Sequence, residues 1–247
     1  MTATSYEDHA YILQRFAWKE SSFVLRVLTR EHGRISVVAR GMRGGRRKHA
    51  VLPGQRSLLH WSPGRELGRL LSLDLLPPPV PMLAGEAYFA AQYLAEVLLQ
   101  VLPEGEAVPA IFDLYAAALA SLHDQPKSLA APLRSFEFGL LQALGHGFSL
   151  NIDRDGNAVR PELCYSLMPE QGLYQDPRGG FSGDTWLALG QGALSEAAAQ
   201  QLRRPLQGQL GSIVDLSRLR SREQWLAARR LREEHQHYSG GDQSGTN

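Results

Sequence analysis

The sequence is poor in cysteine, in lysine and in long apolar runs. Its single cysteine, Cys164, cannot form an internal disulfide or a thiolate zinc cage, so nothing favours an oxidising compartment. No apolar stretch has the length that a membrane span requires, and residues 1–8 lack the basic and apolar parts of a signal peptide. We therefore expect a cytoplasmic protein that makes no contact with a membrane.

The remaining composition is that of a folded globular protein. Of the 247 residues, 43% are hydrophobic and 21% are charged, which argues against disorder and against a fibrous repeat. This length is enough for one large or two modest domains with a substantial core.

The net charge of +1 hides an asymmetry between two parts of the chain. Residues 1–82 carry 13 Lys/Arg against 6 Asp/Glu, a net charge of +7, whereas residues 83–247 carry 13 against 19, a net charge of −6. Of the 26 cations, 23 are arginines, the side chain better suited to bidentate contacts with phosphate and carboxylate, although a high genomic G+C content gives the same bias. The sequence thus predicts a basic module joined to an acidic one.

The basic module has the pattern of five short β-strands. Segments rich in β-branched and apolar residues, separated by Gly, Pro and Ser, occupy 9–15, 22–29, 34–40, 55–61 and 66–75. Residues 29–33 have the length and the glycine of a hairpin connection. Five short strands indicate a small closed barrel, either a five-stranded OB-fold β-barrel or an SH3-like barrel, and the strand count does not choose between them.

A proline-rich stretch, 77–81, ends the β pattern and marks the predicted domain boundary at residue 82. Beyond it, helical periodicity predicts one helix that ends before Pro103, a second after Pro109, and a third from Ser128 to the usual C′ glycine, Gly145. The fold class is therefore α+β: an OB-type barrel over 1–82 and a helical domain over 83–235.

The rest of the helical domain is less regular. Residues 146–185 read as a turn-rich insert with short strands near 165–168 and 172–175, and helices return at 186–189 and 197–210. A last helix should begin at Ser221, where Gln224 completes a capping box, and reach residue 234. The polar residues 236–247 predict a disordered tail.

Enzyme and metal signatures are absent from the sequence. It has no phosphate loop, nucleophile elbow, metalloprotease helix or dinucleotide fingerprint. Residues 153–157 resemble the start of a calcium loop with the glycine misplaced, which favours an Asp-Gly turn, and Cys164 is expected to be a small buried hydrophobe. We expect no catalytic residue, no metal site and no cofactor; the alternative is a hydrolase whose site is dispersed in sequence.

A run of five cations within nine residues is the strongest signal of function. It predicts phosphate binding from the third-to-fourth strand connection of the barrel, and the alternative is a loop that is merely solvated. Near the first connection, cations alternate with rings that could stack on bases, although Phe16 and Trp61 could equally be core residues. The predicted phosphate contacts are Arg15, Lys19, Arg40, Arg43, Arg46, Arg47 and Lys48, and the predicted stacking residue is Trp18.

Three segments resemble one bacterial family. Residues 19–41, KESSFVLRVLTREHGRISVVARG, are similar to the amino-terminal signature of RecO; residues 133–145 resemble its central helix, and residues 219–222 the start of its last helix. The resemblance implies an OB barrel, a helical body and a small insert. It also implies a non-enzymatic recombination mediator that binds single- and double-stranded DNA, anneals complementary strands, joins RecR and helps to load RecA.

Many members of the family carry four cysteines in the insert as a zinc site, whereas here Cys164 stands alone. The resemblance therefore does not imply zinc for this chain. An RNA-binding module of the same barrel type remains the alternative to a DNA-binding one.

The resemblance further implies that the acidic tail of single-stranded DNA-binding protein (SSB) binds the central helix. In this helix, Arg134 follows the apolar Leu133. An acidic peptide with an apolar end requires a receptor of this kind, with a cation beside an apolar surface. We expect the exposed face of this helix to carry Arg134 and Glu137. The alternative is a functionally silent pair between these two side chains. The implied location is the cytoplasm, on the nucleoid during repair.

Overall fold

The computed structural model describes residues 4–42, 53–76, 83–124, 129–221, 223–228 and 230. The predicted domain boundary at residue 82 and the predicted tail, 236–247, lie outside these ranges and stay predictions.

Five strands close into a barrel at the amino-terminal end of the chain. They are β1 (Tyr6–Trp18), β2 (Ser22–Thr29), β3 (Gly33–Ala39), β4 (Arg56–Ser62) and β5 (Gly68–Leu75). Their order around the barrel is β1-β2-β3-β5-β4, with β3 and β5 parallel and every other pair antiparallel. A parallel β3–β5 pair closing a five-stranded barrel is the OB arrangement, so the predicted OB-type barrel is confirmed over the SH3-like alternative.

The hairpin between β2 and β3 has the predicted form. Thr29 pairs with Gly33, and Gly33 has a φ of +67°, which glycine adopts without steric cost. A Cβ on this residue would overlap the backbone oxygen of Glu106, in the segment that leads into the second helix. The hairpin therefore packs directly against the helical part of the chain.

Alternate residues of β1 to β4 fill the barrel, and Leu70 and Leu73 of β5 pack against them, partly buried. The core consists of Ala10, Ile12, Leu25, Val27, Val37, Ala39, Leu59 and Trp61. Trp61 is 3% exposed and belongs to this core, whereas Phe16 is 40% exposed and does not. The period-2 pattern of the sequence thus separates an apolar interior from a solvent face.

The body of the molecule is helical. The first three are α1 (Gly85–Val101), α2 (Pro109–Asp124) and α3 (Ala130–Ala143). They are followed, beyond the insert, by α4 (Gly183–Gly190), α5 (Glu196–Gln201), α6 (Arg203–Leu210) and a 3₁₀ turn (Leu216–Arg218). Residues 221, 223–228 and 230 are helical as well. Gly145 follows α3 with a φ of +79°, which confirms the predicted C′ glycine.

Two helix predictions are wrong in detail. The helix predicted over 197–210 is two helices, α5 and α6, because Pro205 cannot donate a backbone hydrogen bond and its ring clashes with the carbonyl four residues earlier. The capping box at Ser221 is also absent. Both the backbone N–H and the hydroxyl of Ser221 donate to Glu96 Oε2 of α1, at 3.1 and 2.8 Å, and the N–H of Gln224 donates to the Arg220 carbonyl.

The insert contains a small antiparallel sheet, β7-β6-β8, formed by β6 (Cys164–Met168), β7 (Gly172–Gln175) and β8 (Phe181–Ser182). The turn at 153–157 is the expected Asp-Gly turn, in which Asp153 Oδ1 accepts from two backbone N–H groups. Cys164 is exposed, contrary to the prediction, because its neighbour Tyr165 points inward and successive side chains of a strand face opposite sides.

Barrel and body share an interface. Tyr11, Leu13 and Leu28 leave the barrel interior and join the main helical core, where the Tyr11 ring meets Phe112 at 5.2 Å. At the edge of this contact, Arg30 binds both carboxylate oxygens of Asp113 in α2, at 3.2 and 2.7 Å. These hydrogen bonds lower the pKa of Asp113. The two parts therefore pack as one body.

In the part of the chain that the structure describes, no helix is long and apolar enough to cross a membrane. The same ranges contain no group of three or more His, Cys, Asp or Glu side chains placed to hold a metal ion. Glu233, Glu234, His235 and His237, which could hold a metal only weakly, lie outside these ranges.

Candidate nucleic-acid interface and arginine cavity

Four of the predicted DNA-binding residues lie at one end of the barrel. Trp18 and Lys19 form the tip of the β1–β2 hairpin, Arg15 lies three residues before Trp18, and Arg40 follows the end of β3, beside the same tip. All four side chains are exposed. The other four predicted contacts, Arg43, Arg46, Arg47 and Lys48, lie outside the described residues.

Arginines and rings alternate across this end of the barrel. The guanidinium carbon of Arg15 lies 5.3 Å from the centroid of the Phe23 ring, and that of Arg26 lies 5.1 Å from the centroid of Phe16. Trp18, 45% exposed, stands two residues from Phe16 on the same side of β1. Exposed rings beside cations are the combination that holds single-stranded nucleic acid through stacking and phosphate contacts.

The strand register forms a continuous row across the outer face of the barrel. Phe16 of β1 pairs with Val24 of β2, Val24 pairs with Val38 of β3, and Val38 pairs with Arg69 of β5. The row has an aromatic ring at one end and an exposed cation at the other. We call this row, together with Trp18, Lys19, Arg26 and Arg40, and with Arg15 from the opposite side of β1 at the same end of the barrel, the barrel face.

Lys19 has an unusual backbone conformation at the tip. Its φ of +51° lies in the left-handed region, which costs an ordinary residue about 1–2 kcal/mol relative to glycine. Strained positions of this kind concentrate at functional sites. The conformation presents a cationic side chain at the apex of the hairpin, where glycine would be the easier choice.

A second candidate site lies in the helical body, as a cavity of about 530 Å³ between α1, α3, α5, α6 and the later residues Leu216, Leu219, Ser221 and Trp225. Its walls are mostly apolar. They include Phe89, Leu129, Leu133, Leu219 and Trp225. Arg134 also lines it, and we call it the arginine cavity.

Arg134 is buried, so the prediction that it and Glu137 form an exposed face is wrong. Arg134 is 3% exposed and Glu137 is fully buried, because α1, α5 and α6 cover this side of α3. Arg134 Nη2 donates to Glu137 Oε1 at 2.6 Å, and the Tyr93 hydroxyl of α1 donates to the same oxygen at 2.6 Å. The intrahelical pair exists, but as a buried ion pair rather than a surface one.

The buried group has unused hydrogen-bonding capacity. Arg134 Nε and Glu137 Oε2 are both buried without a partner among the described residues. Burial raises the pKa of Glu137, against the opposing effect of Arg134. The pKa of Tyr93 is also raised, mainly by burial and to a smaller extent by the nearby charge of Glu137. A buried guanidinium with an unsatisfied N–H, in an apolar cavity, is suited to a ligand carboxylate.

Other charges lie around the mouth of the cavity. Arg203 of α6 is exposed and lines it, as do Glu86 of α1 and Glu196 of α5. Glu196 Oε2 accepts the N–H of Ala130 at the start of α3, so this carboxylate is engaged within the body. Arg203 supplies a second cation for an acidic ligand.

Sequence reasoning missed several of these residues. Phe16, Arg26 and Arg69 could have been found from the alternation within their strands, which puts them on the solvent side. Tyr93, Arg203 and Trp225 carry no local signal, because helix packing brings them to Arg134 from distant parts of the chain.

These features define a class: a barrel protein of the OB type with a cationic, aromatic face, joined to a helical body that contains the arginine cavity. The sequence comparisons identify the family within that class. The model of the family "Recombination protein O N terminal" matches residues 1–78, and "Recombination protein O C terminal" matches residues 82–163.

Proteins described as "DNA repair protein RecO" are similar over most of the chain. That of Xanthomonas campestris pv. campestris (strain B100) is 35% identical over 215 residues, which cover 82% of this chain and 88% of the relative. That of Methylococcus capsulatus is 37% identical over 187 residues, which cover 74% and 76%. The chain belongs to the RecO family of DNA repair proteins, and its role lies in recombination.

Proposed function

We propose that the protein is a non-enzymatic recombination mediator that binds single- and double-stranded DNA and anneals complementary strands. The barrel face is the observation that supports this most strongly. Its cations can neutralise phosphates of either strand, which lowers the repulsion between two strands held at one surface. Its rings can stack on unpaired bases without reading their sequence.

An annealing assay tests this function. Two complementary labelled oligonucleotides should pair faster with the wild-type protein than alone, and Arg15→Glu with Arg40→Glu should abolish most of the acceleration. Arg178→Glu is the matched control, because it changes an exposed cation in the insert rather than on the barrel face. Equal annealing by the double variant and the control would reject the barrel face. Turnover of the DNA would instead indicate the hydrolase alternative.

RNA is the second candidate ligand, since an OB barrel with exposed rings suits either nucleic acid. Competition between DNA and RNA strands of matched sequence separates the two. We expect DNA to compete at least as well as RNA, and a strong preference for RNA would favour the RNA-binding alternative.

The partner function is assigned to the arginine cavity. We propose that it binds the acidic carboxy-terminal tail of SSB, with Arg134 at the ligand carboxylate and Leu133 among the apolar walls. The protein would then join RecR and help to load RecA onto SSB-coated DNA, in the cytoplasm at the nucleoid. Support comes from the pairing of a buried guanidinium with an apolar cavity, together with the family.

Arg134→Ala alone would destabilise the protein, because it leaves the buried Glu137 carboxylate uncompensated. The cavity is therefore tested with a paired substitution. Arg134→Met combined with Glu137→Gln removes both charges at similar volume, and Glu137→Gln alone is the matched control. The double variant should bind an aspartate-rich peptide ending in phenylalanine more weakly than the control by about 2–5 kcal/mol, and DNA equally well. Equal peptide binding by the two variants would reject Arg134 as the contact.

A further inference from the structure

The role of Glu137 at the arginine cavity rests on the proposed binding of an acidic tail there. Arg134 lines the cavity, and its Nη2 already donates a hydrogen bond to an ionisable side chain, Glu137. A ligand carboxylate that binds the same guanidinium would therefore be added beside an existing carboxylate. Two carboxylates that share one cation in a buried site disfavour each other's ionised form.

The geometry shows where Glu137 could accept a proton. Its Oε1 accepts two hydrogen bonds, one from Arg134 and one from Tyr93, whereas its Oε2 is buried and has no partner in the described chain. Protonation at Oε2 would leave both existing hydrogen bonds in place. It would convert a compensated ion pair into a neutral acid beside a positively charged guanidinium.

We propose that Glu137 is the positioning and counter-charge residue of this site, and that binding of an acidic peptide is coupled to uptake of one proton at Glu137 Oε2. With Glu137 protonated, Arg134 keeps its orientation and its full charge is available to the ligand. The proton comes from bulk water. The site therefore binds a carboxylate-bearing tail more tightly as the pH falls.

The surrounding charges are consistent with this assignment. Burial already raises the pKa of Glu137 in the unliganded protein, and a ligand carboxylate beside it would raise that pKa further. From α6, Arg203 acts on Glu137 in the opposite direction, and Gln207 faces Tyr93. The other acids at the cavity are Glu86 on α1 and Glu196 on α5, and none of the described residues that line it is a histidine.

The test is the pH dependence of peptide affinity in the full-length protein, measured with a fluorescent aspartate-rich peptide ending in phenylalanine with a free carboxylate. From about pH 7.5 to about pH 5.5 the wild-type dissociation constant should fall by roughly three- to tenfold, because a linked proton changes affinity by at most about tenfold per pH unit. Glu137→Gln should bind at neutral pH about as tightly as the wild type does in acid, with a flat profile.

Calorimetry in buffers of different ionisation enthalpy gives a second readout. The wild-type binding heat should depend on the buffer, because binding takes up a proton, and that of Glu137→Gln should not. Asp184→Asn is the matched control: it removes an exposed acid of the helical body that does not line the cavity, and it should leave the slope of the pH profile intact.

The outcomes separate this inference from the function on which it rests. Peptide binding that is independent of pH in the wild type, or equally steep in Glu137→Gln, would overturn the proton coupling and leave the tail site standing. No peptide binding by the wild type at any pH would overturn both.

Discussion

The barrel face and the arginine cavity both rely on arginine, in opposite surroundings. The cations of the barrel face are exposed, apart from the half-buried Arg26, and they lie beside rings that are also partly exposed. Arg134 is 3% exposed and bound to a fully buried carboxylate. The contributions of exposed cations to binding are independent of one another and are screened by salt. A buried arginine carries a desolvation cost, and it selects a ligand that can form hydrogen bonds with its guanidinium.

This difference suggests a division of labour within one molecule. Nucleic acid presents repeated phosphates and needs many exchangeable contacts, which an exposed basic surface supplies. A peptide tail presents one terminus in one register and needs a single shaped site, which the cavity supplies. The charge asymmetry of the sequence, basic over 1–82 and acidic over 83–247, follows the same division.

The largest expected effect is on DNA affinity. Reversing Arg43, Arg46, Arg47 and Lys48 to Glu should weaken DNA binding by about a thousandfold at physiological salt if four phosphate contacts are lost, for all sequences alike. The slope of log affinity against log salt should flatten by about 0.7–0.9 per contact. Anisotropy titrations at several salt concentrations measure both, and an unchanged slope would show that the run is a solvated loop.

The second effect contrasts the stability of the two regions. Arg134→Ala should lower the free energy of unfolding by about 3–5 kcal/mol, because it leaves the Glu137 carboxylate buried and unpaired. Arg40→Ala, on the barrel face, should change it by no more than about 0.5 kcal/mol. Urea denaturation of both variants measures the difference. Similar stabilities would contradict the buried placement of Arg134.

The strands show how much of the fold the sequence could predict. The second strand was predicted at its observed bounds, and the other strands of the barrel within a few residues, because alternation reports burial on one side of a sheet. The OB order could not be read from that pattern. It depends on the β3–β5 pair, which joins residues about thirty positions apart.

Arg134 shows what local pattern cannot reveal. An Arg and a Glu three residues apart look the same in sequence whether the pair faces water or the core. Here the side of α3 that carries them is covered by helices from distant parts of the chain, and Tyr93 reaches Glu137 from 44 residues away. The burial that gives Arg134 its chemistry is therefore a tertiary property.

The third effect separates rings from charges on the barrel face. Trp18→Ala should weaken binding of single-stranded DNA by about 1–3 kcal/mol, the value of one base stacked on a ring, and leave duplex binding nearly unchanged. Parallel titrations with an oligonucleotide and its duplex measure this, with Phe16→Ala as the neighbouring test. An equal loss of affinity for the single strand and the duplex would show that Trp18 supports the fold of the barrel rather than stacking on bases.

A smaller effect concerns stability and pH. Because burial raises the pKa of Glu137, the stability it contributes is present at low pH and is lost as the pH rises through that pKa. The melting temperature of the wild type should therefore fall, relative to that of Glu137→Gln, as the pH rises through that pKa, by about 2–4 °C for each kcal/mol involved. A wild-type melting temperature that rises relative to that of Glu137→Gln over the same pH range would contradict this direction.

The smallest expected effect is that of a chelator. Zinc content should be well below one per chain, and chelation should leave the melting temperature unchanged, since a structural zinc would contribute folding energy directly. One zinc per chain by elemental analysis would contradict the prediction and direct attention to His146, Cys164, His235 and His237.

The central claim is that two separate surfaces bind two kinds of acidic ligand. It is tested most directly by the affinity of the wild-type protein for a labelled oligonucleotide, measured with and without a saturating concentration of the aspartate-rich peptide. Separate surfaces predict the same oligonucleotide affinity in both titrations, with the peptide still bound at the end. Displacement of the oligonucleotide by the peptide would show that both ligands compete for one basic surface.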